Sequence, residues 1–180
     1  MRDAPGLQAF HALSTDVGGG GASTLADGAA VAEAVREASA PAWRLLSDAR
    51  RMRIAYAHAD GASDLREERG VFELGARGEF RAVAYNDADR VGAPLVGPGT
   101  TVAAALAALR SLNAALSDER LVARFTLRPG SLLVFDNSRV LHGRGQIEGG
   151  GRVLAGAYIG ADEWRSRLRT LEREEERGRA

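Results

Sequence analysis

Short segments with apolar residues at every second position alternate along the chain with segments whose apolar residues recur at helical spacing. Leu7 to Leu13 has the strand repeat, with Leu7, Ala9, His11 and Leu13 on one face and Gln8, Phe10 and Ala12 on the other. Ser23-Thr24-Leu25 predicts a short strand. Asp27 then caps a helix through Ala29, Val31, Ala32 and Val35 as far as Ala38. Pro41 opens a second short helix, where its missing N–H costs nothing, with Trp43, Leu45 and Leu46 apolar. Arg51 to Ala57 alternates Met52, Ile54 and Tyr56 against Arg51, Arg53 and Ala55, the pattern of a half-buried strand. His58-Ala59-Asp60 follows and leads into a charged segment, Ser63 to Arg69, that predicts a polar loop. Val71–Leu74 and Glu79–Tyr85 are expected strands around the turn Gly75–Gly78. Val91 to Gly99 is expected as a loop. Thr101 to Leu116 carries the clearest helical pattern, with Val102, Leu106, Leu109, Leu112 and Leu116 in phase and Thr100 or Thr101 as cap.

The last third predicts strands at Val122–Leu127 and Ser131–Phe135, joined by Arg128-Pro129-Gly130, a hairpin signal. Ser131 to Tyr158 reads as a strand, a turn presenting His142, a Gly-rich loop, and a returning strand with Arg152 at its start. On that reading His142 and Arg152 stand on the two arms of a hairpin. A metal-binding imidazole and a carboxylate-binding guanidinium would then face one cavity. Asp136-Asn137 is expected as a turn whose side chains bond nearby backbone. Asp162 is expected to cap a final helix through Trp164, Leu168 and Leu171, with a charged end that frays. Residues 1–180 thus read as one domain of mixed strands and helices, and 162–180 as its C-terminal helix and charged tail.

Composition removes several function classes. Net charge is zero, with 24 basic and 24 acidic residues, which argues against a nucleic-acid binder living on phosphate contacts. The absence of cysteine excludes disulfides, zinc ribbons and thiol catalysis. No apolar run approaches the ~20 residues of a membrane span, and Met-Arg-Asp-Ala-Pro-Gly contains no secretory h-region. A cytoplasmic protein with a small-molecule substrate, and with neither nucleic acid nor membrane as partner, is the expectation. The glycine run between Val17 and Ala22 has no Gly-Lys-Ser or Gly-Lys-Thr, since the chain has no lysine, and reads as a plain connector.

Short strands with flanking helices suggest a jelly roll. Arg-Pro-Gly-Ser-Leu-Leu-Val-Phe-Asp-Asn-Ser-Arg-Val-Leu-His-Gly-Arg, with Gly-Gly-Arg-Val-Leu-Ala-Gly-Ala-Tyr and Asp-Glu-Trp-Arg-Ser-Arg-Leu after it, narrows this. These blocks resemble the C-terminal part of iron(II)/2-oxoglutarate-dependent dioxygenases of the taurine dioxygenase superfamily, in the gamma-butyrobetaine and trimethyllysine hydroxylase branch. Pro5-Gly6-Leu7-Gln8, Ser23-Thr24-Leu25-Ala26-Asp27-Gly28 and Tyr85-Asn86 extend the likeness in the same order. The resemblance implies a mainly β fold with flanking helices, a double-stranded β-helix. It implies Fe(II) held by a 2-His-1-carboxylate triad, with 2-oxoglutarate as co-substrate. His142 matches the distal histidine of the triad. Arg152 matches the arginine that holds the far carboxylate of 2-oxoglutarate, and Thr24 a threonine that bonds the same group. Tyr158 matches a tyrosine of the cage for quaternary ammonium substrates, and Asn86 an asparagine near the active site. The implied reaction hydroxylates a small amino-acid-like or betaine-like substrate and releases succinate and carbon dioxide. The family's His-x-Asp motif precedes its Pro-Gly-Leu-Gln block, and here Met1 stands just past that place. The resemblance therefore implies a jelly roll incomplete at its N-terminus, lacking two of three iron ligands, with weak or no iron binding and no turnover by itself. An open sheet edge would favour association into homo-oligomers.

Two other readings stay open. His58-Ala59-Asp60 is itself a His-x-Asp motif, so a cupin-type metalloenzyme could use His58, Asp60 and His142. A non-catalytic jelly roll could keep the pocket arginine and bind a dicarboxylate without metal. Arg139 and Arg144 could contact substrate, but arginines at strand ends commonly form surface ion pairs.

Overall fold

A computed structural model of the chain describes residues 6–15, 21–59, 64–146 and 151–179. Its strands are β1 (Leu7–Thr15), β2 (Ser23–Asp27), β3 (Met52–Ala59), β4 (Asp64–Arg69), β5 (Phe72–Leu74), β6 (Phe80–Val83), β7 (Leu95–Val96), β8 (Val122–Phe125), β9 (Leu132–Asp136), β10 (Val140–Arg144) and β11 (Arg152–Ile159). Its helices are α1 (Gly28–Ala38), α2 (Ala40–Leu46), α3 (Val102–Ser117) and α4 (Ala161–Gly178). The chain is mainly β with four helices among the described residues, as the pattern predicts. These elements form two compact units, one from residues 23–125 and 139–144, the other from the described residues of 3–22, 126–138 and 145–180.

The first unit holds the larger apolar core. Each of its helices begins at a side-chain cap that satisfies an otherwise orphaned N–H. Asp27 Oδ1 accepts from Ala29 N at 3.0 Å, Ser39 Oγ from Ala42 N at 3.3 Å, and Thr101 Oγ1 from Ala104 N at 3.1 Å. The apolar stripes so started converge: Val31 and Val35 of α1, Leu46 of α2 and Leu109 and Leu112 of α3 are buried with Met52 and Ile54 of β3. Each such side chain contributes about 1.5–3 kcal/mol by leaving water. Around this core lie the sheets β10-β2-β8 and β4-β3-β7 and the hairpin β5-β6, with all recorded pairings antiparallel.

The second unit is the antiparallel sheet β11-β1-β9 with α4. Gln8, Ala12 and Phe135 are buried on one face, and Phe10 and Phe135 pack with ring centroids 6.0 Å apart. The other face carries Leu132 and Val134, both more than half exposed. Chain direction at the start of α4 depends on Gly6, where a Cβ would stand 2.5 Å from Ala161 Cα.

Several expectations are corrected. The Ser131–Tyr158 stretch does not fold on itself: β10 pairs with β2, and β11 pairs with β1. His142 therefore lies within β10 rather than in a turn, and the hairpin that would have set it against Arg152 does not form. The Arg128-Pro129-Gly130 turn exists, with Ser131 N donating to Arg128 O at 2.9 Å, but β8 and β9 join different sheets. The turn docks on β1 instead, through Gly130 N to Ala12 O at 2.8 Å and Ala12 N to Ser131 O at 2.9 Å. Charged residues 64–69 form β4 rather than a loop, in continuous register from Ile54↔Arg69 to Ala59↔Asp64. Backbone pairing and ion pairs such as Arg53–Glu68 hold a strand that has no apolar alternation to announce it. Leu95–Val96 pairs with β3 inside the expected loop. The cap of α4 is Gly160, with Asp162 in the first turn, and the charged tail stays helical to Gly178. Most of the glycine-run connector lies outside the described residues.

Candidate functional site

His142 is the third residue of β10 and stands opposite Leu25 in the ladder with β2. Two contacts fix the chain just before it. Asp27 caps α1 and also receives the Arg139 guanidinium, Nε to Oδ1 at 3.0 Å and Nη2 to Oδ2 at 2.7 Å. Gly28 N donates to Arg139 O at 2.8 Å, and a Cβ on Gly28 would stand 2.5 Å from that oxygen. The helix start and the lead into β10 are thus one clamp, and Arg139 forms the ion pair expected of an arginine at a strand end. Arg139 pulls the Asp27 carboxyl below its ordinary pKa by hydrogen bonding, ahead of the opposing effect of burial. His142 is exposed as a residue, yet its imidazole is enclosed enough that burial pushes its pKa down, with a backbone bond at Val140 acting the other way. The neutral form is the one that ligates metals.

Thr24 stands opposite Gly143, the residue after His142. Side chains alternate across a strand, so Thr24 and His142 leave opposite faces of this sheet. The register brings them within one residue and does not put them on one face. A groove of about 490 Å³ lies along the same sheet, lined in part by Leu25, the ladder partner of His142, with Asp27, Ala123, Arg139 and Val140.

In the second unit, Arg152 begins β11 and is half-buried. Its Nη1 donates to Gly21 O at 2.9 Å. Gly21 has φ +69°, a left-handed conformation that suits glycine, and its N–H donates to Gln146 O. Gly145 N bonds Ala22 O at 2.8 Å, so the strands' two approach segments are tied together beside the arginine. Tyr158 shares the Arg152 face of β11 but is six residues on, about 20 Å at the rise of a strand. The residue is 65% exposed, and its hydroxyl accepts from Nε2 of the buried Gln8 at 3.2 Å. The pairing Gln8↔Tyr158 makes that bond. Sequence reasoning missed it because its partners lie at opposite ends of the chain.

Asn86 spends both ends of its amide in its own turn, Nδ2 to Asp89 at 2.7 Å and Oδ1 from Ala88 N at 2.9 Å. His58 lies in β3 opposite Leu65 and is exposed. Asp60 lies outside the described residues. Among the described residues no three His, Cys, Asp or Glu side chains come together as a metal site. The described donors, with His142 as the candidate imidazole, therefore do not make up a three-ligand iron centre. No described helix is long and apolar enough to cross a membrane.

Residues 1–158 match the family described as taurine catabolism dioxygenase TauD, TfdA family. A gamma-butyrobetaine dioxygenase of Pseudomonas sp. strain AK-1 is 34% identical over 171 residues, covering 94% of this chain and 43% of that protein. A trimethyllysine dioxygenase of Meyerozyma guilliermondii is 32% identical over 173 residues, covering 94% of this chain and 42% of that protein. The chain thus spans about two fifths of the length of these curated relatives. A solved asparagine oxygenase, in complex with Fe(II), 3-hydroxyasparagine and succinate, superposes with TM-score 0.64 at 19% identity. That likeness covers 89% of this chain and 47% of the other, and it shows the fold, the double-stranded β-helix of these oxygenases.

Proposed function

We propose, from the premise that the chain belongs to the taurine catabolism dioxygenase TauD/TfdA family, that it serves an iron(II)/2-oxoglutarate-dependent dioxygenase acting on a small amino-acid-like or betaine-like substrate. Such an enzyme consumes oxygen and 2-oxoglutarate, inserts one oxygen atom into a substrate C–H bond, and releases succinate and carbon dioxide. His142 is proposed as one metal ligand, its imidazole kept neutral by enclosure. Arg152 is proposed as the partner of the distal carboxylate of 2-oxoglutarate. A guanidinium suits that task because its planar fork meets a carboxylate with two parallel bonds. The observation that carries the reading is the Arg152 guanidinium, drawn inward at the first residue of β11 and steadied by the Gly21 carbonyl. Thr24, the residue matched to a second donor for that carboxylate, leaves its sheet on the face opposite His142, and it is assigned no carboxylate contact. Tyr158 is proposed to offer a ring face to a cationic substrate, consistent with relatives named for gamma-butyrobetaine and trimethyllysine. Asn86 would reach substrate only by releasing Asp89.

The test is anaerobic titration of the chain with 2-oxoglutarate, with and without iron(II), read by calorimetry and by the charge-transfer absorbance of the chelate. The expected result is saturable 2-oxoglutarate binding that Arg152→Met weakens at least about tenfold, the loss of a charged hydrogen-bonded pair. Binding that ignores Arg152 would remove the carboxylate assignment. Binding through Arg152 that never responds to iron(II) would mean a partial dioxygenase or a non-catalytic dicarboxylate-binding jelly roll, and a chelate band would mean that further ligands complete the metal site.

A further inference from the structure

Helix α4 runs 18 residues from Ala161 to Gly178, and none of them is buried. Helices in folded proteins owe most of their stability to an apolar stripe packed on something. The α4 stripe exists. Trp164, Leu168 and Leu171 follow one another at spacings of four and three, the seam of a helix pair. Trp164 is engaged within its own unit, beside Gly6, where a Cβ would stand 2.7 Å from the indole Nε1. Leu168 and Leu171 are 45% and 44% exposed. The stripe is thus packed at its first residue and open beyond it.

The charges beside the stripe say what fits it. Arg165 and Glu172 line one flank, and Arg167 and Glu174 the other, so each flank is basic toward the helix start and acidic toward its end. A helix of the same sequence laid antiparallel on this one sets arginine against glutamate along both flanks. All four residues are exposed, and Arg167 meets Glu174 within the chain only at 3.8 Å, so exchanging partners costs little. Glu175 selects the direction. It is the next residue on the stripe after Leu171, and a parallel pair would stack it on its own copy, like charge on like. In an antiparallel pair each Leu168 meets the second copy's Leu171. Each Glu175 then meets the second copy's Trp164 and the neighbouring Arg165, whose guanidinium carbon lies 5.4 Å from the centroid of the Trp164 ring.

We propose that α4 is a docking surface for α4 of a second copy of this chain, antiparallel, with Leu168 and Leu171 in the seam and arginine–glutamate pairs on both flanks. One helix pair with two leucine layers is a small interface, so the dimer is weak and forms with rising concentration.

The experiment is sedimentation velocity of the full chain across a range of concentrations, with thermal midpoints to confirm folding. Three variants are compared with the parent: Leu168→Ser with Leu171→Ser, Arg165→Glu with Arg167→Glu, and Glu172→Arg with Glu174→Arg. The second has four acidic flank residues and the third four basic ones. Each variant is expected to keep the parent's midpoint and to dimerise at least about tenfold more weakly, since removed apolar contacts and like-charge pairs both act against the seam. Mixing the two charge variants restores association to the parent's level or beyond. Orientation is read from a nitroxide at Arg177→Cys, a unique site because the chain has no cysteine. An antiparallel pair sets the two labels about 20 Å apart or more along the helix axis, and a parallel pair about 10 Å apart. A parent chain that stays monomeric at every concentration overturns the inference and leaves the stripe to a different partner. A dimer that survives the serine and charge variants overturns it too, and moves the interface to another surface, such as the open face of β9 with Leu132 and Val134. Failure of the mixed charge variants to associate, or the short label distance, overturns the antiparallel seam.

Discussion

The Asp27 carboxylate accepts the Ala29 amide and the Arg139 guanidinium together, so one side chain starts α1 and holds the lead into β10. Asp27→Ala is expected to cost about 1–2 kcal/mol in urea unfolding, chiefly the lost cap. Arg139→Ala should cost less, because both partners of the ion pair are about half exposed. Asp27 also sets an acid limit. Its folded pKa is depressed, so its contribution is complete above the unfolded value and is lost as pH falls through the folded one. His142 is likewise depressed, and enclosure of its neutral ring stabilises the fold above the ordinary histidine value and is lost as pH falls. Its imidazole carbon resonances should titrate below 6.5, and a titration at or above that value would show the ring freely hydrated. Tyr56 works in the other direction. Burial pushes its hydroxyl up to about 12, so the stability from keeping it neutral is present below the unfolded value near 10 and disappears as pH rises toward 12. Tyr56→Phe should flatten the alkaline fall in stability, measured by denaturant midpoints from pH 9 upward.

Helix α3 presents Ala105, Ala108, Leu109 and Leu112 to the core, and Leu112 is fully buried. Leu112→Ala is expected to lose about 2–5 kcal/mol, for transfer of the side chain plus the cavity it leaves. Chemical denaturation measures this directly. The helix itself was legible in the sequence, because apolar residues at helical spacing after a threonine cap have few other readings, but its buried face runs through Ala105 and Ala108, and Val102 and Leu106 of the expected stripe are exposed. The Asp27 and Thr101 caps and the strand at Met52–Ile54 were read for the same reason. Strand partners were not legible. Pro129-Gly130 is a sound turn signal, yet a turn constrains four residues, while the ladders of β8 and β9 are chosen by distant segments. Strand β4 was read as a loop because both of its faces are polar, leaving no periodicity to detect. The same limit shaped the reading of the site. His142 and Arg152 were found from local motifs, but their strand partners, the Gly21 carbonyl on Arg152 and the Thr24 hydroxyl over Gly143 depend on pairings that local pattern does not encode.

At the scale of the whole molecule, the helical core of the first unit and the sheet β11-β1-β9 differ in how far apart their contacts lie along the chain. Helices α1 and α2 pack with β3 from neighbouring sequence, and α3 joins them from the middle. Strand β1 pairs residue 7 with residues 136 and 159, both distant. Closing long loops is entropically costly and slows folding. In pulse-labelled hydrogen exchange, amides of α1 and β3 should gain protection before those of β1. Simultaneous protection would mean that the sheet β11-β1-β9 forms with the core rather than after it. The same wiring has a consequence during synthesis. A ribosome adding roughly 5–20 residues per second takes on the order of ten seconds between finishing β1 and finishing β9, and longer to reach β11. Through that interval β1, with Phe10 among its residues, is outside the tunnel without either of its native neighbours. Until β9 and β11 follow, both edges of β1 are open to wrong pairing, and a holding chaperone acting on the nascent chain would protect it there.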